Sequence, residues 1–153
     1  MRVRIVAVGT RCPQWVALAV EDFARRLPPA VRPELIEVAP TRRTAKVDAS
    51  QLEAKRELAL LTEQDFLVAL DERGKAFTSL ALSAWLGERR QAGRNLVFLI
   101  GGPDGFDRAV TERADLIWSL SALTFPHALV RVVLIEQLYR AHCLLTNHPY
   151  HRE

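Results

Sequence analysis

The sequence has little cysteine and no long apolar run. Its two cysteines, Cys12 and Cys143, lie near opposite ends of the chain without a C-x-x-C pair, which excludes a disulfide framework and a thiolate metal site. No stretch of about 18 consecutive apolar residues occurs, so we expect no membrane-spanning helix. The apolar run at residues 3–8 is too short for a signal peptide. We therefore expect a soluble, cytoplasmic protein.

Nucleotide-binding signatures are also missing. The sequence contains neither the G-x-G-x-x-G motif of dinucleotide-binding domains nor the G-x-x-x-x-G-K motif of nucleoside-triphosphate sites. Its net charge is only +3, which is too small to indicate nucleic-acid binding by itself. The first 50 residues nevertheless hold nine Lys and Arg against five Asp and Glu. This basic third of the chain could contact phosphates, although ordinary solvated arginines would give the same composition.

The composition is that of one packed domain covering residues 1–153. Apolar residues make up 49% of the chain and charged residues 25%, which is typical of a globular core and not of disorder. Short apolar runs alternate with amphipathic segments, and this order predicts an α/β fold with a mostly parallel sheet and flanking helices. We expect strands at residues 2–8, 35–38, 66–70, 96–100 and 116–120, and helices at residues 14–27, 50–61, 79–91, 108–113 and 128–145.

Local signals mark the ends of several of these elements. Ser50-x-x-Glu53 resembles a capping box at the start of the second helix. Asp71-Glu72-Arg73-Gly74 is predicted to be the turn that ends the third strand. Gly93 is well placed to stop the third helix, and Asp107 to cap the fourth.

The last helix, residues 128–145, is apolar on most of its sides. A helix of this kind must be buried all round, which is unusual for the terminal helix of a small monomer. We therefore expect homodimerisation through this helix, with a wholly internal helix as the alternative. Trp15 and Leu18 lie off the main apolar stripe of the first helix and could join the same interface.

Three charged residues, Arg131, Glu136 and Arg140, interrupt the last helix. Buried charges need partners, so these residues are expected to pair across the dimer. The alternative is that Arg131 and Arg140 face an active cleft, whereas structural pairing is the better interpretation for Glu136.

Two connections follow predicted strands and could form a ligand site. The first is Gly101-Gly102-Pro103-Asp104-Gly105, which comes directly after the buried strand at residues 96–100. Ligands of open α/β sheets bind just beyond such strand ends, although a tight turn explains the glycines equally well. The second is the uncharged segment 119–126, which could line an apolar slot for a planar ring such as adenine or could be a simple strand-to-helix connection.

The final residues concentrate chemically active side chains where chain ends usually fray. Residues 148–153 read His148-Pro149-Tyr150-His151-Arg152-Glu153. They offer a proton acceptor, a stacking ring and a phosphate-binding fork, which together suit a nucleotide. Metal binding by His142, His148 and His151 is a weaker alternative, because their spacing matches no known ligand set.

Four motifs resemble the RlmH family, ribosomal RNA large-subunit methyltransferases of the SPOUT class. They are Val6-Ala7-Val8-Gly9-Thr10, Leu99-Ile100-Gly101-Gly102-Pro103-Asp104-Gly105, Trp118-Ser119-Leu120-Ser121-Ala122-Leu123-Thr124 and Asn147-His148-Pro149-Tyr150-His151-Arg152. The resemblance implies a trefoil knot in the carboxyl-terminal third and a homodimer that binds S-adenosylmethionine at its interface. It also implies methylation of N3 of a pseudouridine in helix 69 of 23S rRNA, on the assembled 70S ribosome, without a metal or a membrane.

The resemblance also assigns residues to the cofactor site. They are Leu70, Gly102, Ser121, Ala122, Leu123, Thr124, Phe125 and Pro126. Phe125 stands where the family often has Leu, which keeps an apolar wall, and Asp104 replaces a frequent Glu.

The tail would supply the residues that act on the target base. His151 is the candidate base because an imidazole titrates near neutral pH. Tyr150 could stack on the flipped base, and Arg152 could hold phosphates together with Arg42, Arg43 and Lys46. Two other classes stay open: a non-catalytic ribosome-binding protein of the same fold, and a metal-dependent hydrolase that uses His148 and His151.

Overall fold

A five-stranded parallel sheet forms the centre of the molecule. The computed structural model describes residues 1–42, 44 and 48–152, with the side chains of residues 151 and 152 excepted. The strands are β1 (Val3–Val8), β2 (Glu34–Val38), β3 (Phe66–Ala76), β4 (Leu96–Ile100) and β5 (Leu116–Ser119), and their order in the sheet is β2-β1-β4-β3-β5. Every pairing is parallel, which confirms the predicted α/β class. The trefoil knot stays a prediction.

Five helices cover the two faces of the sheet. They are α1 (Gln14–Arg26), α2 (Ala49–Leu58), α3 (Ser79–Ala92), α4 (Arg108–Arg113) and α5 (His127–Leu145), and short 3-10 turns occupy Pro29–Val31 and Pro149–Arg152. Helices α1, α3 and α5 pack together on one face, over Ile5 and Phe98. Helices α2 and α4 cover the other face, over Val6 and Leu99. Because neighbouring strand residues point to opposite faces, β4 contributes to both cores and is buried along its whole length.

Of the four predicted boundary signals, two are confirmed and two, the capping box and the turn at residues 71–74, are wrong. Gly93 ends α3 in the left-handed conformation, and Asp107 caps α4 by accepting a hydrogen bond from the backbone of Ala109. The second helix, however, is capped by Asp48, whose carboxylate accepts from the backbone N–H groups of Ser50 and Gln51. The capping-box interpretation fails because Asp48 is a competent cap two residues earlier. Glu53 is therefore free to point inward, where its side chain is buried.

The predicted turn at residues 71–74 does not end its strand. Leu70 and Lys75 are both opposite Trp118 of β5, so residues 71–74 form an outward excursion and β3 then resumes up to Ala76. Gly74 permits this return because the backbone of β5 passes directly beside it. A Cβ atom at position 74 would lie 2.5 Å from the carbonyl oxygen of Ile117. The chain does turn at residues 71–74, but the turn belongs to an excursion within one strand and does not end it.

The terminal helix α5 buries only part of its surface within the chain. Leu134, Ile135 and Leu138 are buried, while Val132 and Val133 on other sides are half-buried. Trp15 and Leu18 on α1 are 58% and 57% exposed. Dimerisation through these surfaces stays a prediction. In the part of the chain that the structure describes, no helix has the length and apolar character needed to span a membrane.

The close approach at Gly74 gives a testable difference between two glycines. We expect Gly74→Ala to lower the free energy of unfolding by roughly 2–3 kcal/mol, because β5 or the excursion must move to accept a methyl group. Gly93→Ala should cost about 1 kcal/mol, since a left-handed backbone is its only penalty and no atom lies within 4 Å of the new methyl group. Urea unfolding of both variants measures the difference, and equal costs would contradict this account of the excursion.

Candidate functional site

A cavity of about 430 Å³ opens at the carboxyl ends of β3, β4 and β5. Three connections line it: residues 70–73 from the excursion in β3, residues 100–106 after β4, and the segment that runs from Trp118 to Val130. This is where ligands of open parallel sheets bind, and the volume lies within the range of small-molecule pockets. The sheet therefore places the two connections singled out in the sequence beside each other, together with a third.

Most of the predicted cofactor residues meet at this cavity. Six of the eight line it: Leu70, Gly102, Ser121, Leu123, Thr124 and Phe125. Ala122 and Pro126 belong to the same loop but are not among the lining residues. The site assignment itself stays a prediction, although the structure brings the three predicted segments to one place.

The loop after β5 is held in shape by its own side chains. The Ser119 hydroxyl donates to the carbonyl oxygen of Ser121 over 2.9 Å, and the Leu123 backbone N–H donates to the Ser121 hydroxyl over 3.0 Å. The Thr124 hydroxyl donates to Glu72 over 2.7 Å, which fastens the loop to the excursion in β3. Leu123 is left 70% exposed. Such a preformed loop presents apolar atoms and backbone groups to a ligand without a prior rearrangement.

The glycine connection after β4 is both a tight turn and a wall of the cavity. The Gly105 backbone N–H donates to the Gly102 carbonyl oxygen over 3.0 Å, and Gly105 has a φ of 73°. At Gly101 a Cβ atom would lie 3.2 Å from the ring of Phe106. The turn and ligand interpretations of the sequence are therefore compatible, because the residues of the tight turn also line the cavity.

Charged residues at the mouth of the cavity were missed by the sequence analysis. Arg73 donates from Nε and Nη2 to the two carboxylate oxygens of Asp71, at 3.0 and 2.9 Å. The hydrogen bond from the Arg73 side chain is the main cause that lowers the pKa of Asp71. Asp71 is thus ionised at neutral pH, and Glu72 beside it accepts from Thr124. These residues were predicted only to form a turn. Charged residues in a turn at the carboxyl edge of a sheet could have indicated a ligand site.

A second missed feature is a pair of buried glutamates behind the glycine connection. Oε2 of Glu53 lies 3.0 Å from where a Cβ atom of Gly102 would be, and Oε1 of Glu53 accepts from the backbone of Thr41. Glu57, one helical turn further along α2, is 2% exposed, and its Oε2 atom has no hydrogen-bond partner in the described chain. Burial, with a smaller effect of the Glu53 carboxylate, raises the pKa of Glu57 to about 8. Glu57 therefore carries a proton at neutral pH.

The charged residues of α5 pair within the chain, whereas pairing across a dimer or a position in an active cleft was expected for Arg131. Arg131 is buried and donates to Glu37 over 2.7 Å and to the Gly9 carbonyl oxygen over 2.8 Å. It does not line the cavity. Arg140 donates to Glu136, as structural pairing of Glu136 predicts. The Arg131 bonds join α5 to the ends of β1 and β2, whereas the Arg140–Glu136 pair lies within α5.

The tail is only partly described. The Tyr150 hydroxyl donates to Glu136 over 3.0 Å, and its ring lies 4.7 Å from that of Tyr139. Tyr150 is not among the residues that line the cavity. Four predicted positions lie outside the described part: the side chains of His151 and Arg152, and the whole of Arg43 and Lys46. Arg42 is exposed.

The histidines proposed as metal ligands have other neighbours in the structure. Arg90 Nη2 lies 3.2 Å from His142 Nδ1, and the backbone N–H of Tyr150 donates to His148 Nδ1 over 3.3 Å. Among the described residues, no group of three His, Cys, Asp or Glu side chains is arranged to hold a metal ion.

Comparison with known proteins adds to this geometry. Residues 1–151 match a family model described as "Predicted SPOUT methyltransferase". Proteins called "Ribosomal RNA large subunit methyltransferase H" are 46% identical in Thioalkalivibrio sulfidiphilus, over the whole of both chains, and 48% identical in Bordetella petrii, over 99% of each chain. The fold is similar to that of a putative Legionella pneumophila methyltransferase solved with bound SAM, at a TM-score of 0.54 and 8% identity, covering 92% of this chain and 66% of that one.

The buried Glu57 predicts a stability change with a definite dependence on pH. Its pKa is about 8 in the folded chain and near the ordinary 4.5 in the unfolded chain. The folded state therefore binds the extra proton between these values, and stability falls as the pH rises from about 5 to about 8. We expect Glu57→Gln to be more stable than the wild type by roughly 2–4 kcal/mol at pH ~9, and by much less at pH ~5.

Urea unfolding at both pH values measures this difference. The exposed Glu112→Gln, which also removes a carboxylate from a helix, is the matched control and should show no such trend. A pH-independent difference between wild type and Glu57→Gln would contradict the raised pKa.

Proposed function

Because the chain belongs to the SPOUT methyltransferase family, we propose that it transfers a methyl group from S-adenosylmethionine to large-subunit ribosomal RNA. The observation that carries the proposal is the cavity where the connections after β3, β4 and β5 meet. The name borne by relatives at 44–48% identity over nearly their full length supports ribosomal RNA as the substrate class. The finer target follows the resemblance: N3 of a pseudouridine in helix 69 of 23S rRNA, on the assembled 70S ribosome in the cytoplasm.

The residues at the cavity fit S-adenosylmethionine. Ile100, Trp118 and Phe125 offer apolar surface for a planar ring, and the uncharged loop after β5 offers backbone groups for its edge. The Glu72 carboxylate at the mouth complements a cationic ligand, whereas Asp71 is already paired with Arg73. The group would be held by Leu70, Gly102, Ser121, Ala122, Leu123, Thr124, Phe125 and Pro126. When bound, it supplies an electrophilic methyl group on a positively charged sulfur.

We place the reacting tail on the partner subunit of a homodimer. Helix α5 begins beside the cavity, at His127 and Val130, whereas the tail follows its opposite end. The Tyr150 hydroxyl rests on Glu136, six residues beyond Val130 and therefore about 9 Å further along the helix axis. The half-buried apolar side chains of α5 and the exposed Trp15 and Leu18 supply surface for a second copy.

The protein's own task in the reaction is placement and proton removal. The uridine-type imide must lose its N3 proton on methylation, and we assign that proton to the imidazole of His151. The N–CH3 bond would form as the S–CH3 bond of the sulfonium donor breaks, which leaves a neutral thioether. Arg152 would hold a phosphate together with Arg42, Arg43 and Lys46. Tyr150 belongs to the same tail. Its contacts with Tyr139 and Glu136 indicate that it positions the tail and does not stack on the target base. Aligning the nitrogen with the methyl group in one complex would contribute to the acceleration.

Ribosomes incubated with the protein and labelled S-adenosylmethionine test the proposed function directly. We expect label in 23S rRNA, in the fragment that carries helix 69, when ribosomes lack that methyl group. Calorimetric titration of the protein with S-adenosylmethionine should show binding without added metal. Binding of ribosomes without heat from the cofactor would identify a non-catalytic ribosome-binding protein, and activity that requires zinc or manganese would identify a metal enzyme.

Mixed dimers test whether the tail acts on the other subunit's cavity. His151→Ala removes the proposed proton acceptor, and Leu123→Arg places a positive charge at an exposed cavity wall, where it repels a cationic cofactor. Each variant alone should be inactive. A dimer that combines one chain of each, selected with two affinity tags, should regain one of its two sites and about half of the wild-type rate.

The outcome depends on the path of the tail. If the tail served its own cavity, both sites of the mixed dimer would be defective and no activity would return. Solution mass of each variant controls for loss of the dimer, and a His151→Ala protein of wild-type activity would remove His151 from the mechanism.

A further inference from the structure

The Glu136 carboxylate on α5 accepts four hydrogen bonds from three side chains. Arg140 approaches Oε1 through Nη2 at 2.6 Å and Nε at 3.0 Å, and Gln137 donates to Oε2 over 2.6 Å. The Tyr150 hydroxyl donates to Oε1 over 3.0 Å. Arg140 and Gln137 are neighbours on the same helix, but Tyr150 lies beyond the helix end. The carboxylate thus connects α5 to the tail that follows it.

The ring of Tyr150 also has two close contacts, with the ring of Tyr139 and the guanidinium of Arg140. Its centroid lies 4.7 Å from that of Tyr139 at an interplanar angle of 60°, a favourable aromatic geometry. The Arg140 guanidinium carbon lies 4.9 Å from the same centroid. Burial, followed by the hydrogen bond to Glu136, raises the pKa of the Tyr150 hydroxyl. It therefore remains protonated and a donor throughout the neutral range.

The backbone before Tyr150 is shaped to bring the tail back onto α5. Asn147 adopts a φ of 56°, the left-handed conformation that reverses a chain after a helix. The His148 backbone N–H then donates to the Cys143 carbonyl oxygen over 2.9 Å, and the Tyr150 N–H donates to the His148 ring. The reversal delivers the Tyr150 side chain to Glu136. His151 is the next residue, with its Cα atom about 3.8 Å from that of Tyr150.

We propose that Glu136 is a positioning residue. It binds the Tyr150 hydroxyl and, with Arg140, orients the Tyr150 ring. It thereby fixes the place beside α5 from which His151 and Arg152 extend. This inference rests on the proposed function of the tail. It gives Tyr150 a role on its own subunit's helix. The geometry also distinguishes Glu136 from the exposed Glu21–Arg25 pair on α1, which has the same four-residue spacing but holds no tail residue among the described side chains.

Hydrogen exchange of the carboxyl-terminal segment tests the anchor without reference to activity. Tyr150→Phe removes the hydroxyl and keeps the ring, and Glu136→Ala removes the acceptor. In the full-length protein, both should speed amide exchange in residues 146–153 by about tenfold. In a Glu136→Ala background, Tyr150→Phe should add little, because the two changes break one interaction. Glu136→Gln retains an acceptor oxygen and should recover part of the protection.

Steady-state methylation of ribosomes tests whether the anchor matters for the reaction. Tyr150→Phe and Glu136→Ala should lower kcat by roughly tenfold to hundredfold and leave the KM for S-adenosylmethionine unchanged, because the tail is misplaced while the cavity is intact. The matched control, Glu21→Ala, removes an exposed carboxylate paired with Arg25 and should change neither exchange in the tail nor kcat.

Unchanged exchange in both variants would overturn the anchor, and faster exchange with an unchanged kcat would overturn its role in positioning. A wild-type protein that does not methylate ribosomes would count against the proposed function itself, and with it against any role of Glu136 in the reaction. An active wild type with equally active variants would count against the positioning role alone.

Discussion

The complete burial of β4 is the constraint on which the rest of the structure depends. A strand covered on both faces has to lie between other strands and beneath helices on two sides, and β1, β3 and the two helical layers meet that need. All five strands then run in one direction, so the connections that leave β3, β4 and β5 emerge at the same edge of the sheet. The cavity forms between them.

Periodicity was enough to predict the layout, because each strand and helix is set by residues close together in sequence. The apolar run at residues 96–100 correctly predicted a central strand, and Gly93 and Asp107 correctly predicted helix ends. The cavity wall at Gly102 and Ser121 was also predictable, since strand ends are visible in the sequence. The excursion in β3 was not, because it depends on the return of Gly74 to β5, more than forty residues away.

The features that could not be predicted from the sequence all depend on contacts between residues that are far apart in the chain or on how the elements pack. Nothing near Glu57 in the sequence indicates that its carboxyl group will be buried and protonated, since this follows from packing against the sheet. Arg131 finds Glu37 and Gly9 across the fold, and no local pattern names those partners. Tyr150 meets Glu136 only because Asn147 reverses the chain. Local sequence specifies elements, whereas side-chain pairs between elements depend on how the elements pack.

The detour in β3 has a consequence for how the cavity mouth could evolve. Residues 71–74 leave and rejoin a single strand opposite one residue, Trp118, so the hydrogen-bonded ladder on either side is indifferent to the length of the loop. Insertions or deletions there would alter the size and charge of the entrance while the alignment of β3 with β4 and β5 stayed the same. The fold thus separates the loop at the cavity mouth from the scaffold of the sheet, which would allow ligand preference to diverge without loss of foldability.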